Sequence, residues 1–183
     1  MISKAVKLIS EILKEDPKRE ALIYSQQCFD WLKKMNPKFS EAQEIGARCQ
    51  HFRRWDIPRE DFPLDKKGYY QWRIKLYTYQ ADKTAEVLKK VGYSDEFVEE
   101  VKNMISKKDL RNNINSQLLE DIACLVFLEH YITPFASSKD YSEEKWIKII
   151  KKTWSKMSDK AHKFALKINY PAPILVLIQK AIA

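Results

Sequence analysis

The chain has 183 residues, 45% of them apolar and 32% charged, with a formal charge of +8. That length points to a single domain with enough chain for a core, and the mixture excludes a disordered polymer. No run of 18 apolar residues occurs, so no membrane-spanning helix is expected. The N-terminus is amphipathic and broken by charges, unlike a secretory signal. Only three glycines stand among many Lys, Glu, Leu and Ala residues, a helix-forming composition. Cys28, Cys49 and Cys124 are odd in number and scattered, which suggests reduced thiols in a cytoplasmic protein.

Apolar residues at Val6, Ile9, Ile12 and Leu13 predict a helix over 3–14, stopped by Asp16-Pro17. A second helix is predicted over 19–35, with Leu22, Cys28, Phe29 and Leu32 on one stripe. Ser40 and Gln43 have the spacing of a capping box and open a third. Its core face is Ala42, Ile45, Gly46, Cys49 and Phe52. Glu44, Arg48, His51 and Trp55 fall on another face. Pro58 and Pro63 make 56–65 a rigid loop. Asp65 then caps a long helix closed by Gly92, with Tyr70, Ile74, Tyr77, Ala81, Ala85 and Leu88 expected inward. Ser94 caps a helix to about Ser106. The stretch 117–133 is apolar nearly all round and reads as the central helix, ended by Pro134. A helix follows from Tyr141 or Ser142, further turns are expected over 159–168, and a last helix after Pro173 packs as a C-terminal lid. No segment alternates with period two. The expectation is one all-α domain of seven to nine helices.

Arg48 to Arg73 holds five of the seven arginines. A guanidinium is the planar fork that suits carboxylate or phosphate. Arg48, Arg53, Arg54, Arg59 and Arg73 are therefore candidate phosphate ligands, with Trp55, Tyr69 and Trp72 as walls or stacking surfaces. His51, flanked by guanidinium groups, is pushed towards neutral. Glu120 and Asp121 lie on the apolar central helix, where a carboxylate needs a partner. The sequence leaves two roles open for them: catalytic base or metal ligand, and internal ion pair. His51 and Asp121 are the candidate ligands of a divalent metal, and Asp121 is expected to meet His51, Arg48, Arg53 or Arg54. The phosphate-loop, dinucleotide, CxxC, HExxH and GxSxG motifs are absent.

Four segments carry a resemblance: GARCQHFRRWDIPREDFP at 46–63, GYYQWR at 68–73, LLEDIACLVFLEHY at 118–131 and KTWSKMS at 152–158. Together they resemble an uncharacterised family labelled as a domain of unknown function, some of whose members carry a glutamyl-tRNA synthetase-like name. That family carries a histidine where this chain has Gln80. Lys156-Met157-Ser158 looks like the start of a synthetase KMSKS loop, although its HIGH-type companion is missing. A more distant resemblance is to HD-domain phosphohydrolases. It implies an HD-like helical architecture, with Gln50-His51 at the doublet and Asp121 as the distal acid. The first histidine of that pattern is absent, since 24–28 reads YSQQC. The functional expectation is a phosphate-bearing partner, nucleotide or RNA, bound at the arginine segment and open to hydrolysis. The alternative is a non-enzymatic interaction module whose arginines pair internally.

Overall fold

The computed structural model describes residues 1–110 and 112–183, which contain helices and turns but no strand. They form two compact units, Met1–Leu119 and Glu120–Ala183.

The first unit holds α1 (Ile2–Leu13), α2 (Glu20–Met35), α3 (Glu41–Arg48), α4 (Lys66–Val91), α5 (Asp95–Ile105) and the start of α6 (Ile114–Val126). Local chemistry sets most of these boundaries. Asp16 is buried, and its Oδ2 accepts the Glu20 and Ala21 amides at 2.9 and 2.8 Å. The residue that stops α1 thus satisfies the orphan donors of α2. Ser40 and Gln43 form the capping box. Asp65 accepts from the Gly68 amide at 2.7 Å, and Ser94 from that of Phe97. Gly92 closes α4 at φ 102°, a left-handed position that glycine takes without a Cβ penalty.

The expected core of the third helix is present: Ala42, Ile45, Gly46, Cys49 and Phe52 are all buried. The helix itself ends at Arg48, however, so His51 and Trp55 do not share a helical face with Glu44. Arg53 takes a left-handed φ of 52° and turns the chain into a short 3₁₀ segment, Arg54–Asp56. On α4 the expected buried stripe is corrected at its N-terminal half. Tyr70 and Ile74 are exposed, and Gly68, Trp72, Leu76 and Gln80 face inward. The loop decides this. Trp72 donates its indole N–H to the Ile57 carbonyl at 2.9 Å and packs with Ile57 and Leu76. Within the unit, α5 packs on α4, α3 on α2 and α5, and α1 on α4. Cys28 and Cys49 are free and buried.

The second unit holds the rest of α6, a π turn over Phe127–Tyr131, α7 (Ile132–Ser138), α8 (Glu143–Trp154), α9 (Asp159–Ala165) and α10 (Ala172–Ile182). Helical backbone continues past Pro134, where a stop was expected. Proline has no N–H to return to the preceding turn, and a widened turn just before it removes the need for one. The described chain therefore has ten helices, one more than the upper expectation. α10 packs on α8 through Ile174, Ile178 and Ala181, with Leu175 and Val176 left exposed. No described helix is long and apolar enough to cross a membrane.

Candidate anion site

The arginine segment sorts itself by partner. Arg48 donates Nε to Glu44 Oε1 at 2.9 Å and lies 3.7 Å over the Phe29 ring. Arg53 donates Nε to Asp56 Oδ2 at 2.6 Å, and the Tyr79 hydroxyl donates to the same oxygen. Arg59 donates to the Phe62 and Pro63 carbonyls at 2.9 and 2.7 Å, tying the loop to itself. These three are engaged in holding the fold.

Arg54 and Arg73 differ. Arg54 stands over Trp72, its guanidinium carbon 4.5 Å from the ring centre. Arg73 donates to the Tyr77 hydroxyl at 2.6 Å. Within this unit neither has a carboxylate partner among the described residues. Both are half-buried. Burial, and then the neighbouring Arg73 charge, push Arg54 down to about 10. A half-buried cation beside a second cation is an unfavourable arrangement for Arg54 unless something anionic joins it, whereas Arg73, lowered by burial, is raised on balance by Tyr77 and Tyr69.

His51 sits among them. Tyr24 of α2 stacks on its ring, centroids 3.6 Å apart and planes 9° from parallel. Arg54 Nη1 lies 3.5 Å from Nε2. A guanidinium only donates, so that nitrogen is the unprotonated one. Burial first, then Arg54, Arg73 and Lys107, hold the ring well below the ordinary histidine value. It is neutral at pH 7, as its flanking arginines suggested.

A testable consequence follows from that depression. Above pH 6.5 the ring is neutral in both folded and unfolded chains. Below it the unfolded chain takes a proton that the folded one refuses, so stability falls as pH falls, until the folded value is reached. The expected slope is about 1.4 kcal/mol per pH unit. Urea midpoints between pH 7.5 and 5 should fall more steeply for the parent than for His51→Gln, and parallel profiles would disprove the account.

The remaining candidates have other surroundings. Trp72 is committed to the core, and Arg54 covers one face of its ring. Tyr69 is exposed beside Trp72, with ring centroids 6.0 Å apart. Trp55 is half-buried in the 3₁₀ turn. Glu120 and Asp121 belong to the second unit, both buried. There Asp121 accepts from the Ser158 amide at 2.8 Å and the Ser158 hydroxyl at 2.5 Å. Glu120 lies 3.4 Å from the Lys156 ammonium. The Lys156-Met157-Ser158 segment is thus anchored by the adjacent acids, and Ser158 also caps α9. Sequence reading missed Tyr24 as the ring stacked on His51, Lys107 as a charge acting on it, and Tyr77 as the partner of Arg73. Tyr24 and Tyr77 look like ordinary core aromatics, and Lys107 is one of many lysines.

No three His, Cys, Asp or Glu side chains among the described residues gather to hold a metal ion. The His51 environment also fits a metal poorly. Nε2 faces a guanidinium, and every charge acting on the ring is positive. A divalent cation would add to a repulsion that an anion would relieve.

A family model described as "Domain of unknown function (DUF4202)" matches residues 3–178. Neither the curated proteins nor the solved structures contain a match to the chain.

Proposed function

We propose, for a chain that belongs to the DUF4202 family of unknown function, that it binds a phosphate-bearing ligand, a nucleotide or RNA, at Arg54 and Arg73. One observation carries the reading: two half-buried guanidinium groups, the charge of Arg73 acting on Arg54, without a carboxylate partner among the described residues of their unit. Their forks suit phosphate oxygens. His51 is neutral and adds no charge, while Tyr69 offers an exposed ring beside the cluster. The interaction-module alternative gains support only from Arg48, Arg53 and Arg59, whose donors are already used within the fold.

The two roles predict opposite stability effects. Removing one partner of a buried ion pair costs about 3–5 kcal/mol. Removing an uncompensated charge relieves desolvation and repulsion instead. Arg54→Met keeps the stem packed on Trp72 and loses a cation–π contact worth about 0.5–2 kcal/mol. Without ligand it should stay within about 1 kcal/mol of the parent in urea denaturation, because these terms oppose each other. The same variant should bind at least about tenfold more weakly, the equivalent of one lost charge-assisted bond of about 1.4 kcal/mol. Calorimetric titration with inorganic phosphate, AMP and a short RNA, at low and moderate salt, checks this. A variant that binds all three like the parent removes the reading.

A further inference from the structure

We infer that the ligand presents a doubly charged terminal phosphate, a phosphomonoester, to Arg54 and Arg73 together; this rests on the phosphate-binding reading above. The two guanidinium groups bring two positive charges, beside that of Lys107 which also acts on His51, with no carboxylate opposing either guanidinium among the described residues of their unit. A monoester near neutral pH carries between one and a half and two negative charges (roughly, with its second ionisation near pH 6). It balances both cations. An internal diester of a nucleic-acid backbone carries one, and leaves a half-buried guanidinium unopposed.

The donor count agrees. Each guanidinium has five N–H donors. Arg54 directs one nitrogen at His51 Nε2, and Arg73 directs one at the Tyr77 hydroxyl. Among the described residues their other nitrogens have no protein acceptor, yet none is among the sealed polar atoms left without a partner. The unused donors therefore keep some contact with solvent. A terminal phosphate has three oxygens that lack a second ester substituent and can accept from two forks at once. A diester has only two such oxygens.

The cluster is also held in place before any ligand arrives. Arg54 rests on Trp72, which is fixed through the Ile57 carbonyl, and Arg73 is held by Tyr77 one turn along α4. Tyr24 fixes the ring plane of His51 from the side of α2. Little side-chain ordering is left for the ligand to impose, which favours a small, rigid charged group over an extended strand.

The test compares methyl phosphate with dimethyl phosphate, and sulfate with methyl sulfate, by calorimetric titration of the full chain at pH 7.5 and low salt. A short RNA without terminal phosphates is a fifth probe. Each dianion is expected to bind at least about tenfold more tightly than its methylated monoanion, a step of about 1.4 kcal/mol. The preference should shrink to within about threefold in both Arg54→Met and Arg73→Met, since one positive charge then remains. Equal binding of dianion and monoanion would overturn the inference while leaving the phosphate-binding reading in place. So would binding of the RNA with none of methyl phosphate. Failure of all five probes to bind would overturn both.

Discussion

Gly68→Ala is expected to lower stability by about 3 kcal/mol or more, the upper range for forcing atoms into a packed site. A Cβ at this position would fall on the carbonyl group of Pro63. The obstacle is backbone, so no rotamer change can relieve it. The carbonyl is also held in place: Arg59 Nη2 donates to it at 2.7 Å, and Arg59 Nη1 donates to Phe62. The Gly68 amide is itself bound to the capping carboxylate of Asp65. Alanine would have to push the 56–65 loop away from α4, breaking contacts of Ile57 and Phe62 with Trp72 and Leu76. Because Trp72 supports Arg54, the proposed anion site should be lost with the loop. The expected readouts are a lower urea midpoint and a changed tryptophan emission spectrum. Alanine tolerated within about 0.5 kcal/mol, the range of an ordinary surface change, would mean that the loop does not press on the helix as described.

Asp121→Ala is expected to cost about 3 kcal/mol, from two hydrogen bonds to a charged group at about 1.5–3 kcal/mol each, partly recovered by relaxation. Asp121 is 3% exposed, and both its oxygens are used by Ser158. The serine hydroxyl donates to the carboxylate while accepting from the Ala161 amide at 3.2 Å. One acid therefore orients the cap that starts α9. Ser158→Ala removes the same hydroxyl, so the two substitutions should not add. A double-mutant cycle is expected to return a coupling energy of about 1–2 kcal/mol, within the usual range for residues in one network. Amide exchange at Ser158 and Ala161 should quicken in both single variants. Additive effects with unchanged exchange would rule out the brace.

Much of the helical layout was legible because its signals are local. A capping side chain reaches an amide three residues ahead, so Ser40, Asp65, Ser94 and Ser142 mark helix starts whatever surrounds them. The all-α class follows from composition and apolar period, and the 3₁₀ turn Arg59–Asp61 falls where Pro58 forbids a helix, whereas that at Arg54–Asp56 follows the left-handed turn at Arg53. Register on α4 was not legible. Tyr70, Ile74 and Tyr77 form a stripe as apolar as Gly68, Trp72 and Leu76, and periodicity reports that a buried face exists without saying which. Only the loop carbonyl that accepts from Trp72 made the choice. Pro134 was read by its missing donor, yet whether a chain stops or widens its turn depends on what packs around it.

The candidate site divides along the same line. Sequence alone determined that five arginines share the segment containing His51, and that a histidine flanked by guanidinium groups is pushed towards neutral, because charge density along a chain is a local property. Tertiary structure decided which arginines are committed to the fold. Glu44 and Asp56 are only three or four residues from Arg48 and Arg53, but Asp61 and Asp65 are equally near other arginines and make no carboxylate pair with them. Pairing requires two side chains to point the same way from a folded backbone. The left-handed turn at Arg53 separates its direction from that of Arg54, and α4 carries Arg73 to within reach of Arg54's field. Tyr24 is 27 residues from the ring it stacks on, a separation that no local signal spans.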